Sequence, residues 1–125
     1  MKQAFTEDKP LYMQVREKIE DLILTGQLKE GEQAPSTNQL VNFYKINHIT
    51  VAKRINQLVE EGILYKKRGI GMFVAEGARE KLIERRKKMF IEDYVVQFVQ
   101  EAKKLGITLE EIIAYIREVE RREKE

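Results

Sequence analysis

Two helix starts crowded between Ser36 and Gly62 restrict this chain more than any other feature of its sequence. Ser36-Thr37-Asn38-Gln39 is a capping box, in which the Ser36 hydroxyl accepts from the Gln39 amide while the Gln39 side chain reaches back to Ser36. The helix it opens carries Leu40, Val41 and Phe43 or Tyr44 as its apolar face and breaks near Tyr44. Asn47 is then a good N-cap for a further helix, with Val51, Ile55, Leu58 and Val59 at helical spacing and Gly62 as its stop. Only Lys45 and Ile46 separate the two. A connection that short belongs to a helix-turn-helix unit, although the glycine often found in that turn is missing.

The flanking segments complete the pattern. Leu11, Val15, Ile19, Leu22 and Ile23 form one stripe of a leading helix that Asp8 would cap, Pro10 would open and Gly26 would end. The stretch GQLKEGEQAP, with its glycines and proline, reads as a loop holding at most a short extended piece. After Gly62, Ile63-Leu64-Tyr65 and Met72-Phe73-Val74 flank KKRGIG, and the glycines at 69 and 71 permit positive φ, so this segment is a β-hairpin with a basic tip. Helix, helix, helix, hairpin is the order of a winged helix-turn-helix.

From about Arg79 the chain becomes charge-rich helix. Ile91, Tyr94, Val95, Phe98, Val99, Ala102 and Leu105 mark a wide apolar stripe that Gly106 ends, and Thr108-Leu109-Glu110-Glu111 is a second capping box opening a last helix from Leu109 to about Arg122. Two amphipathic helices joined by a tight turn have too little surface to bury both stripes alone. A symmetric dimer would cover them, through Ile91, Tyr94, Val95, Phe98, Ile112 and Ile116. The expected division is residues 1–77 as the winged unit and 78–125 as the helical hairpin. The fold class is mainly α with a small β-hairpin.

Composition excludes several functions. The 125 residues contain no cysteine and a single histidine, His48, which removes thiol chemistry, disulfides and a histidine-based zinc site; no metal or cofactor is expected. No stretch approaches the roughly 20 apolar residues of a membrane span, and MKQAFTEDKP lacks the apolar core of a signal peptide, so a cytoplasmic chain is expected. Paired histidines and a phosphate-cradling glycine loop are missing and the carboxylates are dispersed among lysines and arginines, which argues against an enzyme. The net charge of +2 conceals a basic patch: residues 44–74 hold six basic side chains (Lys45, Lys53, Arg54, Lys66, Lys67, Arg68) and two acidic ones, the first footprint of a nucleic-acid binder. Arg85-Arg86-Lys87-Lys88, with acidic residues close by, reads as a solvated linker helix.

These residues, in this order, resemble the GntR-type bacterial transcription regulators, specifically their short YtrA-like branch. The resemblance runs from Pro10 to Ala75 through Pro10-Leu11-Tyr12, Gly26-Gln27-Leu28, Gly31, Pro35-Ser36, Asn47, Thr50-Val51, Leu58 to Gly62, and Gly69-Ile70-Gly71-Met72-Phe73-Val74. It implies a homodimeric, sequence-specific regulator of double-stranded DNA, read as a repressor acting on an inverted-repeat operator. It leaves room for a small-molecule effector, for which these residues assign no pocket. Asn38 stands where the family usually has a DNA-contacting arginine, and Ala52 and Arg54 also depart from its pattern.

The recognition helix of such a protein meets bases through its first turns. With Val51, Ile55 and Leu58 inward, 100° per residue turns Ile49, Lys53 and Asn56 outward and leaves Thr50 at the side, near a phosphate. Residues 47 to 53 are the candidate contacts: Asn47, besides capping the helix, would touch DNA at its start, Ile49 would meet a thymine methyl, Lys53 the centre of the groove, and His48 a guanine or phosphate. Ser36 and Asn38 lie at a helix start, where free amides attract phosphate. Lys66, Lys67 and Arg68 flank the Gly69 tip, narrow enough for a minor groove. The competing reading is a protein-interaction adaptor built on the same scaffold without DNA contact.

Overall fold

The computed structural model describes residues 10–124, so the expected cap Asp8 lies outside the described residues. Pro10 stands just before the first helix, and its carbonyl accepts from Met13 and Gln14 at 3.0 and 3.3 Å. Helix α1 spans Leu11–Leu24 and buries Val15, Ile19 and Ile23, together with the charged Glu20. Helices α2 (Thr37–Tyr44) and α3 (His48–Glu60) form the helix-turn-helix. Both halves of the capping box are made, Gln39 N to Ser36 Oγ at 3.1 Å and Ser36 N to Gln39 Oε1 at 2.8 Å. In the turn, Lys45 takes the left-handed conformation, φ 59° and ψ 37°, in place of the missing glycine.

Strands β1 (Leu64–Lys67) and β2 (Gly71–Val74) pair antiparallel, with Leu64 opposite Val74 and Lys67 opposite Gly71. The loop before α2 adds an extended edge to this hairpin: Gly31 N donates to Val74 O, Val74 N to Glu32 O and Ala34 N to Met72 O, all at 2.8 to 2.9 Å. This is the short extended piece expected in GQLKEGEQAP. Helix α4 follows as Ala78–Phe90.

The core joins α1 through Val15, Ile19 and Ile23, α2 through Leu40, and α3 through Val51, Ile55 and Leu58. Ile63, Leu64 and Val74 complete it from the hairpin, and Ala78 and Leu82 from α4. Each fully buried aliphatic side chain contributes about 1.5–3 kcal/mol, so α3 is held rigidly by three of them. Because Ala78 and Leu82 belong to this core, the first compact unit extends past residue 77, to Lys87.

The second unit begins at Lys88. Its helical backbone includes a π-helical turn at Ile91–Val95 before α5 (Val96–Lys104), and α6 runs Leu109–Glu123. The uniform 3.6-residue stripe expected from Ile91 onward is thus interrupted: one wide turn shifts the positions after it by roughly one helical step, about 100°. Gly106 at φ 70° ends α5, and the Thr108–Glu111 capping box forms in both directions, at 2.9 and 3.2 Å. Ala102 is buried. Phe90, Ile91, Phe98, Leu105, Leu109, Ile113, Ile116 and Val119 remain exposed within this unit.

Candidate nucleic-acid interface

Helix α3 is oriented by what it buries. Val51, Ile55 and Leu58 are at most 2% exposed, and the opposite face presents Ile49, Lys53 and Asn56 to solvent with Thr50 half-buried beside them. Asn47 Oδ1 accepts from Ile49 N at 2.7 Å, so this side chain is engaged as the helix cap. Exposed His48 follows it. Ile49 is 76% exposed, an apolar side chain that nothing inside the first unit covers. A shallow groove of about 550 Å³ runs along this face past His48, Ala52, Lys53 and Asn56 and ends at Glu60.

Arg54 takes no part in that face. Its guanidinium lies over the Tyr12 ring, 4.2 Å from the centroid, and donates to Gln57 Oε1 at 3.3 Å. At the start of α2, Ser36 and Asn38 are exposed at the end where amides are free.

On the hairpin, alternation places Lys66 on the same side as Met72, while Lys67 shares the outer side with Tyr65 and Phe73. The two rings stack at 5.9 Å, and the Lys67 ammonium sits 4.3 Å from the centre of Phe73. Lys67 is therefore held by a cation–π contact. Arg68, Gly69 and Ile70 form the exposed tip, closed by Ile70 N donating to Lys67 O at 2.9 Å. Gln33 reaches this tip from the edge segment, its Nε2 donating to Ile70 O at 3.1 Å.

The solvated linker expected at Arg85–Lys88 requires correction. Glu20, 4% exposed in α1, accepts through Oε2 from Arg16 Nε and Arg85 Nη2, both at 2.8 Å, and through Oε1 from Arg86 Nη1 at 3.1 Å. Arg86 also donates to Asp21 at 3.2 Å, and Glu61, at the end of α3, accepts from both Arg16 and Arg85. Two of the four basic residues are thus neutralised inside the first unit and clamp α4 to α1 and α3; Lys87 and Lys88 are exposed. Partial burial pushes the Glu61 carboxyl upward. The hydrogen bonds and positive charge of Arg16 and Arg85 outweigh it and hold the group below the usual carboxylate range. The same carboxylates raise Arg16 against the lowering effect of its own burial.

Sequence reasoning missed Glu20, Gln33 and Ile70. A glutamate lodged between Ile19 and Ile23 was the available sign for the first, since a charge on an apolar stripe needs partners. Ile70 was legible as an apolar residue between two glycines. Gln33 gave no local sign, because its partner is 37 residues away.

Comparison with known proteins bears on what this surface does. The family model described as bacterial regulatory proteins, gntR family, matches residues 11–74. The HTH-type transcriptional repressor YtrA of Bacillus subtilis (strain 168) is 32% identical over 110 residues, covering 88% of this chain and 84% of that protein. A GntR family transcriptional regulator from Listeria monocytogenes has a similar solved structure, with TM-score 0.73 and 31% identity over 91% of this chain and 98% of that one. AraR(DBD), solved in complex with operator ORX1, is similar with TM-score 0.51 and 36% identity over 54% of this chain and 81% of that chain.

Proposed function

The chain belongs to the gntR family of bacterial regulatory proteins, and from that premise we propose that it reads an operator in double-stranded DNA as a homodimer and represses transcription there. It is a regulator and not an enzyme, in keeping with the relatives it resembles. The observation that carries the reading is the exposed strip of Ile49, Lys53 and Asn56 on a helix whose other face is fixed in the core. A helix of this kind fits the major groove, where Ile49 packs on a thymine methyl and Lys53 and Asn56 reach base edges. His48 and Thr50 flank them. Ser36 and Asn38 approach a phosphate at the start of α2, and Arg68 and Gly69, with Lys67 behind them, enter the neighbouring minor groove.

The exposed apolar side chains of the second unit support assembly with a second copy. Leaving Phe98, Ile113 and Ile116 wet is unfavourable, and a two-fold axis gives each stripe an identical partner. Ile91, Tyr94, Val95 and Ile112 fall in the same region of sequence. Two-fold symmetry then calls for an inverted repeat with half-sites about one helical turn apart. A small-molecule effector would act on this helical pair, by altering the spacing of the two reading helices. The protein works where its operator is, in the cytoplasm; among the described residues no helix is long and apolar enough to cross a membrane.

Selection of bound sites from random DNA tests the proposal, followed by titration of the selected duplex at several salt concentrations. One symmetric motif is expected, with log K falling against log salt by about 0.9 per phosphate neutralised. Lys53→Glu, at an exposed position, weakens binding by about tenfold or more without lowering thermal stability. Unchanged binding by this variant, or affinity indifferent to salt, would overturn the proposal in favour of an adaptor that keeps its partner through such a charge reversal.

A further inference from the structure

Ile70 stands at the apex of the wing and is 64% exposed, an aliphatic side chain that the hairpin does not need for its own packing, since Leu64 and Val74 supply the core side. Gly69 at φ 76° and Gly71 at φ 145° flank it, so the tip carries no Cβ on either side of Ile70 and is thin enough to enter a narrow cleft. Both backbone polar atoms of Ile70 are satisfied within the protein. Its amide donates to Lys67 O at 2.9 Å and its carbonyl accepts from Gln33 Nε2 at 3.1 Å. What remains to project is purely apolar.

The Gln33 contact is rooted in a fixed piece of backbone. Its neighbours Glu32 and Ala34 are both hydrogen-bonded to β2, and its side chain lies across Gly71, where a Cβ would come within 2.5 Å of Nε2. The amide of Gln33 is thus placed to hold the peptide plane that follows Ile70 at the tip.

We propose that Ile70 reads the minor groove at the outer edge of each half-site, accepting A·T pairs and rejecting G·C, and that Gln33 is the residue that positions it. The inference rests on the operator reading above. The floor of an A·T minor groove carries only acceptors, whereas guanine adds a 2-amino donor that projects from the floor. An isoleucine side chain seated there strips water from that amino group and offers no acceptor in return, an uncompensated desolvation. The sugar walls of a narrow A·T tract offer it apolar contact, and the enhanced negative potential of such a tract favours the adjacent Arg68 and the ring-anchored Lys67.

Inosine separates this mechanism from base reading in the major groove, because inosine·C lacks the 2-amino group yet keeps the major-groove face of G·C. Three versions of the selected operator are titrated, with A·T, G·C or inosine·C at the outer position. Wild type is expected to bind A·T and inosine·C alike and G·C about tenfold more weakly. Ile70→Ala, exposed and harmless to the fold, brings the three within about twofold of one another. Gln33→Ala reduces the discrimination as well, and in the Ile70→Ala background it has no further effect on it. Inosine·C binding as weakly as G·C, discrimination surviving in Ile70→Ala, or a Gln33 effect that persists in the double variant each overturns the inference. If Lys53→Glu abolishes binding while Ile70→Ala keeps full discrimination, this inference fails and the operator reading stands; if wild type selects no motif, both fail.

Discussion

Replacing Glu20 by alanine is the sharpest test of how α4 is held to the reading head. The carboxylate is 4% exposed and accepts three charge-assisted hydrogen bonds, from Arg16, Arg85 and Arg86. At about 1.5–3 kcal/mol each, their simple sum would be about 4.5–9 kcal/mol. The sum overstates the loss. Arg16 and Arg85 keep Glu61, Arg86 keeps Asp21, and the side chains of Arg85 and Arg86 are 34% exposed, so water replaces part of what is removed. Breaking a buried pair from one side costs about 3–5 kcal/mol; discounted for the retained partners and solvent, Glu20→Ala should cost about 2–3 kcal/mol. For a chain of this size that is a drop in Tm of roughly 8–12 °C. The assay is thermal unfolding followed by circular dichroism, with every variant at the same protein concentration so that the Tm values compare directly. Glu20→Gln, which keeps the volume and one acceptor, should fall between wild type and alanine. A loss below about 0.5 kcal/mol, the level of an ordinary surface substitution, would refute the reasoning and return Arg85 and Arg86 to the status of solvated charges.

Two further outcomes follow from the geometry. Lys45→Gly relieves a left-handed backbone at φ 59° and should stabilise the protein by about 0.5–1 kcal/mol, read as a higher urea midpoint at unchanged slope; no change or a loss would show that Lys45 pays no conformational penalty in the turn. Because Glu61 is held below the usual carboxylate range by Arg16 and Arg85, its contribution is complete above the ordinary glutamate pKa of about 4.3 and is lost as pH falls through its lowered value. Wild type should therefore exceed Glu61→Gln in stability near neutral pH, and the gap should close as acid unfolding is approached; a constant gap in urea midpoints between pH 6 and pH 3 would contradict the assignment.

The parts of the site that were legible are those written in short-range code. Ser36 with Gln39, Asn47, and Thr108 with Glu111 each announce a helix start to a neighbour two or three residues away, and all three caps form. The spacing of Val51, Ile55 and Leu58 fixed which face of α3 is buried and so which of its residues stand outward. Glycines at 69 and 71 marked the tip of the hairpin. The stripe through Ile91 was less secure, since a π turn depends on packing that periodicity does not encode.

Amino-acid order alone determined the starts of α2, α3 and α6, the buried and outward faces of α3 and the presence of a basic wing, because capping, amphipathic spacing and turn chemistry act over a few residues. Tertiary structure alone decided that Arg85 and Arg86 neutralise Glu20 and Asp21 some 65 residues away, and that Gln33 grips the tip of the wing. A charge or an amide has the same local signature whether it faces water or a distant partner. Only the folding of α4 and the edge segment onto the helices and hairpin selects between them.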